Sequence, residues 1–200
     1  MNHVLGLGLR CSPPTLSALG FTVSLQPGRA PPSVLLTNIR IVLGVAKAPA
    51  LFLSSTSPLP DTLAGVPCFA LPIPSEEEAA PPHPNGVARC ERLTLRTPDW
   101  ISTSAALEAR GWREVVMKQD SWPGLASKQA RVEGVRRSTF QVGLPGQELV
   151  LELEGPAVPS SSGPATLWGV TLEASRGLHK VAHSLGHDCE LSRQGQNSNL

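Results

Sequence analysis

The sequence predicts a chain that is mostly disordered or irregular, with a marginal α+β unit confined to its C-terminal half. Three observations lead there. Pro, Gly and Ser make up 58 of the 200 residues, a range in which aperiodic chains tend to lack a fixed fold. Aromatic residues are 4% and Tyr is absent, so the rings that give a core large, well-defined contacts are scarce. Charged residues are 16%, against about 25% in ordinary soluble domains. Leu, Val, Ile and Phe still total 52 residues, above the roughly 20% below which disorder is the default. Such a chain collapses but is poorly equipped to select one collapsed state. Leu, Ser, Pro, Ala, Gly and Arg account for 118 residues; this GC-rich codon set reads as nucleotide bias rather than selection for packing.

Residues 1–60 contain no acid; the first is Asp61. With four cations and many Pro, Ser and Leu, this region reads as disordered. Acid-poor, Arg-bearing N-termini are also a feature of mitochondrial leaders, but Gly6, Gly8 and Pro13-Pro14 interrupt the helix that import needs. Localisation is otherwise open, with an intracellular site favoured. Val34 to Leu53 is long enough to cross a bilayer, yet it contains Arg40 and Lys47, each costing about 2.5–3.5 kcal/mol at a membrane centre. Ile39, Ile41 and Leu43 alternate with Arg40 and Val42, which reads as a short strand. Residues 61–96 form a Pro-rich linker. Its Pro81-Pro82-His83-Pro84 matches the PxxP pattern, a match that twenty prolines supply by chance.

Local signals improve over residues 97–190, the predicted α+β unit. Thr97-Pro98-Asp99 starts a helix that runs to about Gln119: a capping hydroxyl, a proline in the first turn and an acid at the positive dipole end. Phe140, Val142 and Leu144, then Leu149, Leu151 and Leu153, then Thr166, Trp168, Val170 and Leu172 alternate, which predicts a three-strand antiparallel meander. Leu178, Val181 and Leu185 predict a short C-terminal helix, and residues 191–200 a disordered tail. No internal repeat with a period of 20–50 residues is visible.

Catalytic patterns are absent: there is no GxSxG, no P-loop and no CxxC. The only metal-ligand types that cluster are His179, His183, His187 and Cys189. One ion cannot take all three histidines from a helix, because eight residues span about 12 Å; His183, His187 and Cys189 are left as weak metal candidates, and the histidines read better as the wet side of the helix. Net charge is +1, which leaves no strong signal for nucleic acid or membrane. Lys128, Arg131, Arg136 and Arg137 read as a solvated basic turn, with Arg136-Arg137-Ser138 resembling a kinase site in pattern only. The expectation is a weakly selected polypeptide that is not an enzyme. It has no catalytic residues, no cofactor, no stable homo-oligomer and no identifiable partner, and is at most an interaction segment. Two alternatives stand beside it: a small β-rich binding module in residues 138–173, and a mitochondrial precursor.

Overall fold

Leucine does in this chain what aromatic residues do elsewhere. Seventeen leucines are buried among the described residues, most of them on alternate positions of strands, where side chains of one parity share one face. The computed structural model describes residues 2–26, 30–45, 47, 49–54, 59–73, 79–115, 134–147, 149–174, 177–182 and 192–193, with positions 26, 30, 177–182 and 192–193 described by backbone alone.

The first half contains β1 (His3–Leu9), α1 (Pro13–Ala18), β2 (Ser24–Gln26), β3 (Ala30–Leu35), β4 (Arg40–Leu43), β5 (Ala50–Ser54), β6 (Thr62–Leu63) and β7 (Val66–Ala70). The second contains β8 (Val87–Arg96), α2 (Trp100–Glu108), β9 (Arg113–Glu114), β10 (Val135–Gln141), β11 (Val150–Pro156), β12 (Thr166–Ala174), β13 (Gly177–Ala182) and β14 (Ser192–Arg193). Two sheets result, ordered β2-β3-β4-β1-β5-β7-β6 and β14-β13-β12-β8-β11-β10-β9.

These orders contain one motif twice. Each half begins with a strand, crosses through a helix, adds three strands that pair in sequence, and brings the third back parallel to the first. A fifth strand then pairs antiparallel on the free side of the first. The register repeats as well. Leu7 faces Ile41 and Leu51, and Leu93 faces Leu151 and Val170. Leu9 faces Leu43, and Leu95 faces Leu153. Across the end of each helix runs the same six-residue pattern, Leu16-Ser17-Ala18-Leu19-Gly20-Phe21 and Leu107-Glu108-Ala109-Arg110-Gly111-Trp112. Gly20 and Gly111 both have left-handed φ, +81° and +84°, the conformation that ends a helix at low cost only with glycine. The following ring, Phe21 or Trp112, is buried in each case.

The two units clasp each other reciprocally. The hairpin between β3 and β4 reaches the start of β8: the Thr37 N–H donates to the Ala88 carbonyl at 3.0 Å, and the Asn38 amide pairs with both backbone groups of Cys90, at 2.5 and 2.9 Å. The hairpin between β10 and β11 leads in the same way to the start of β1. There the Val4 N–H donates to the Val142 carbonyl and the His3 Nδ1–H to the Gly143 carbonyl, both at 2.8 Å. Buried side chains of both units belong to one continuous core.

The prediction of a mostly disordered chain with one marginal α+β unit is therefore wrong. Residues 1–60, expected to be disordered, hold five strands and a helix, and 61–96, expected to be linker, hold β6, β7 and β8. The error lies in the meaning given to Pro and Gly. Pro13 and Pro14 do not stop a helix; they occupy the first turn of α1 behind the Ser12 cap, where proline lacks no needed N–H. Gly6 and Gly8 sit inside β1, where Phe52 lies across them: a Cβ on Gly6 would stand 2.9 Å from Phe52 Cβ and from the Arg40 carbonyl. The alternation over 39–43 does give a strand, β4. Among the described residues no helix is long and apolar enough to cross a membrane.

The second half was read more closely but not correctly. The helix is shorter than 98–119: Asp99, not Thr97, accepts the capping N–H of Ser102, and Gly111 ends the turn. The three predicted strands exist, yet they are no meander, because β8 is inserted between β11 and β12. Leu178 and Val181, predicted on a short C-terminal helix, lie in strand β13 paired with β12, and Leu185 lies outside the described residues.

Candidate functional site

The predicted metal candidates His183, His187 and Cys189 lie outside the described residues, as do Lys128 and Arg131. His179 belongs to β13. Among the described residues there is no group of three His, Cys, Asp or Glu placed to hold a metal. Cys68 and Cys90 are buried free thiols. Burial pushes Cys68 up to about 11 and Cys90 higher still, so neither is a thiolate nucleophile near neutral pH.

The densest chemistry lies on the face of the second sheet that turns away from α2. Gly155 marks the helix side, since a Cβ there would meet Thr97 and Trp100. Leu151 and Leu153 share that side by the period of two, and Glu152 and Glu154 therefore point the other way. The opposing positions of β8 carry Arg92, Thr94 and Arg96; β12 adds Trp168, Thr171 and Glu173, and β10 adds Arg137. Arg92 Nη1 binds Glu152 Oε2 at 3.0 Å, with both side chains 15% exposed. Glu154 is held from two sides, by Arg96 Nε at 3.0 Å and Arg137 Nη2 at 2.9 Å. Arg89 pairs with Glu173. The Arg96 guanidinium also lies over the Trp168 ring, 3.7 Å from its centroid.

Burial raises the Glu154 carboxyl, but the hydrogen bonds and charges of Arg137 and Arg96 outweigh it and hold the group below the ordinary carboxylate range. A carboxylate so held is a poor proton acceptor at neutral pH. Among the described residues, each Glu on this face is paired with an arginine, and no Ser or Cys nucleophile sits beside a free base in it. The arrangement is a lattice of paired donors and acceptors.

Arg136 and Arg137 were expected in a solvated turn. They lie in β10 instead: Arg137 grips Glu154, and Arg136 stacks 3.5 Å from the centroid of Trp100 on the helix side. Ser138 of the kinase-like pattern is buried and donates its hydroxyl to Glu114. The PxxP segment is likewise folded in, with His83 buried and the Pro82 carbonyl accepting from the Thr22 hydroxyl at 3.1 Å. Beyond α2, an open depression of about 690 Å³ is lined by residues 108–114, the end of α2, its turn and β9.

The charged face was missed at the sequence level, although its alternation was visible. Glu152 and Glu154 alternate with Leu151 and Leu153. Their partners in β8 fell inside the stretch read as linker.

No protein-family model, no curated protein and no solved structure matches this chain.

Proposed function

We propose that this chain is a non-catalytic binding protein whose contact surface is the ion-paired face of the second unit, and that the partner is a protein surface bearing carboxylates. The observation that carries the reading is the graded exposure of the pairs. Arg96 and Arg137 are 45% and 34% exposed, whereas Glu154 between them is 17% exposed. The carboxylate is drawn in and the guanidiniums stand out, so the pairing fixes cationic tips in place. Beside them lies Trp168. Arg and Trp are the residue types that most often anchor protein interfaces, and a preformed lattice loses little side-chain entropy on binding.

A photo-reactive residue placed at Thr171, on this face, tests the reading against one at Thr15, on α1. The face variant should cross-link a discrete partner in cells, and Arg96→Glu should reduce that product at least tenfold while the variant keeps the wild-type circular dichroism spectrum. Equal, diffuse labelling from both positions would contradict it.

The mitochondrial alternative has less support. β1 is flanked by β4 and β5 within its sheet, so removing 60 residues would take away five of its seven strands.

A further inference from the structure

We infer that His83 is an acid-sensitive latch: protonation of its ring releases the connector of residues 79–86 from the first unit. This connector leads directly into β8 and so joins the two units. It is fixed at three points. The Asn85 N–H donates to the Gly20 carbonyl at 3.1 Å, the Asn85 side-chain amide to the Leu19 carbonyl at 3.0 Å, and the Thr22 hydroxyl to the Pro82 carbonyl. His83 stands between these points, 7% exposed, with its ring edge-on to Phe21 at 5.6 Å between centroids.

Its two ring nitrogens have partners of fixed polarity. Nδ1 lies 3.1 Å from the Thr22 backbone N–H, which can only donate. Nε2 lies 3.0 Å from the Leu35 carbonyl, which can only accept. The ring is therefore neutral, with its proton on Nε2. A second proton on Nδ1 would face the Thr22 N–H donor to donor. It would also take away the acceptor of the Thr22 amide and place a cation on a ring that is 7% exposed.

Among the described residues, the elements around the ring offer no compensating anion. The turn after α1 contributes Phe21 and Thr22, the end of β3 contributes Leu35, and the connector contributes Pro82 and Asn85. Opposite Leu35 in the β3–β4 ladder stands Arg40, a cation. Burial lowers the pKa of His83 and the Leu35 bond opposes this in part. The linkage sign follows. A histidine with a lowered folded-state pKa adds stability above its unfolded value of about 6.5, and this is lost as pH falls through the folded value.

The test is NMR on the full chain. The His83 ring should titrate below 6.5. The protection factor of the Thr22 amide should fall by up to tenfold per pH unit between about 6.5 and that midpoint and level off below it, while the Leu95 amide in β8 keeps its own. His83→Asn supplies an amide oxygen for the Thr22 N–H without a titrating group, and should make Thr22 protection flat from pH 7 to 5. If that variant does not fold, the wild-type titration decides alone. A His83 ring titrating at or above 6.5, or Thr22 protection that tracks Leu95 down to pH 5, overturns the latch.

Discussion

The two units share a leucine-lined face and differ on the other. On the shared side, Leu7, Leu9, Ile41 and Leu51 in the first unit stand where Leu93, Leu95, Leu151 and Val170 stand in the second. On the far side, Gly6, Gly8, Val42 and Phe52 correspond to Arg92, Thr94, Glu152 and Thr171 by the same register. One unit closes that face with a phenylalanine laid across two glycines. The other covers it with ion pairs and a tryptophan. The difference teaches that topology here is set by the inward leucines and the helix-ending glycine, while the outward positions were free to diverge. Function, on this reading, belongs to the outward side of the second unit.

Core substitutions should break the comparison most severely. Leu7→Ala and Leu93→Ala each remove a fully buried side chain and should cost about 2–5 kcal/mol. Both should lower the same single urea transition, because the two units share one core. Two transitions, each moved by only one of the variants, would show that the units are independent.

Outward positions should respond unequally. Gly6→Ala drives a Cβ against the Arg40 carbonyl at 2.9 Å, a backbone obstacle that cannot swing away, and should cost about 1–3 kcal/mol as overpacking. Thr94→Ala, at the position matching Gly8, should change the urea midpoint by about 0.5 kcal/mol or less. Equal losses would mean that the first unit's glycines are not a packing requirement.

The reciprocal clasp gives the next test. Asn38→Ala leaves the buried N–H and carbonyl of Cys90 without their partner and should cost about 1–3 kcal/mol by urea unfolding. His3→Phe removes one side-chain bond from the other half of the clasp and should cost less, about 1 kcal/mol.

The smallest effect concerns the charged face. Glu154→Gln removes the anion held by Arg96 and Arg137 and should cost about 1 kcal/mol at pH 7, discounted because the guanidiniums are partly hydrated. The sign with pH is definite. A carboxyl held below its ordinary pKa stabilises the fold above the unfolded value of about 4.3, and this is lost as pH falls through the folded value. The urea midpoint of Glu154→Gln should therefore converge on that of the wild type between pH 5 and 3. A gap that stays constant would mean that Glu154 is not held low.

Part of this structure was legible in the sequence. The alternations over 39–43, 149–153 and 166–172 became strands, and the helix near residue 100 formed. What was not legible was pairing. Nothing in the spacing of Leu149, Leu151 and Leu153 says that their strand runs parallel to β8, a partner about 60 residues away that lies behind prolines. Proline and glycine counts misled because their effect depends on position: Pro13 opens a helix, Gly111 ends one, and Gly8 admits a ring. The duplication did leave a sequence trace. Leu7-Gly8-Leu9-Arg10, after the intervening Cys11, and Leu93-Thr94-Leu95-Arg96, directly, are followed by a hydroxyl residue and proline, then by the Leu-x-Ala-x-Gly-aromatic pattern. Its period, 86 residues in the strands and 91 after the helices, lies well beyond the 20–50 residues of ordinary repeats. The charged face was hidden for the same reason as the pairing, since Arg92 and Glu152 meet only once β8 and β11 are neighbours.

Native-state hydrogen exchange on the full chain measures the duplication most directly. Amides of β1 and of β8, each flanked by strands on both sides, should exchange only through global unfolding and report the same free energy. Exchange of β1 amides at unfolded-peptide rates, with β8 still protected, would show that the N-terminal half is not a second copy of the unit.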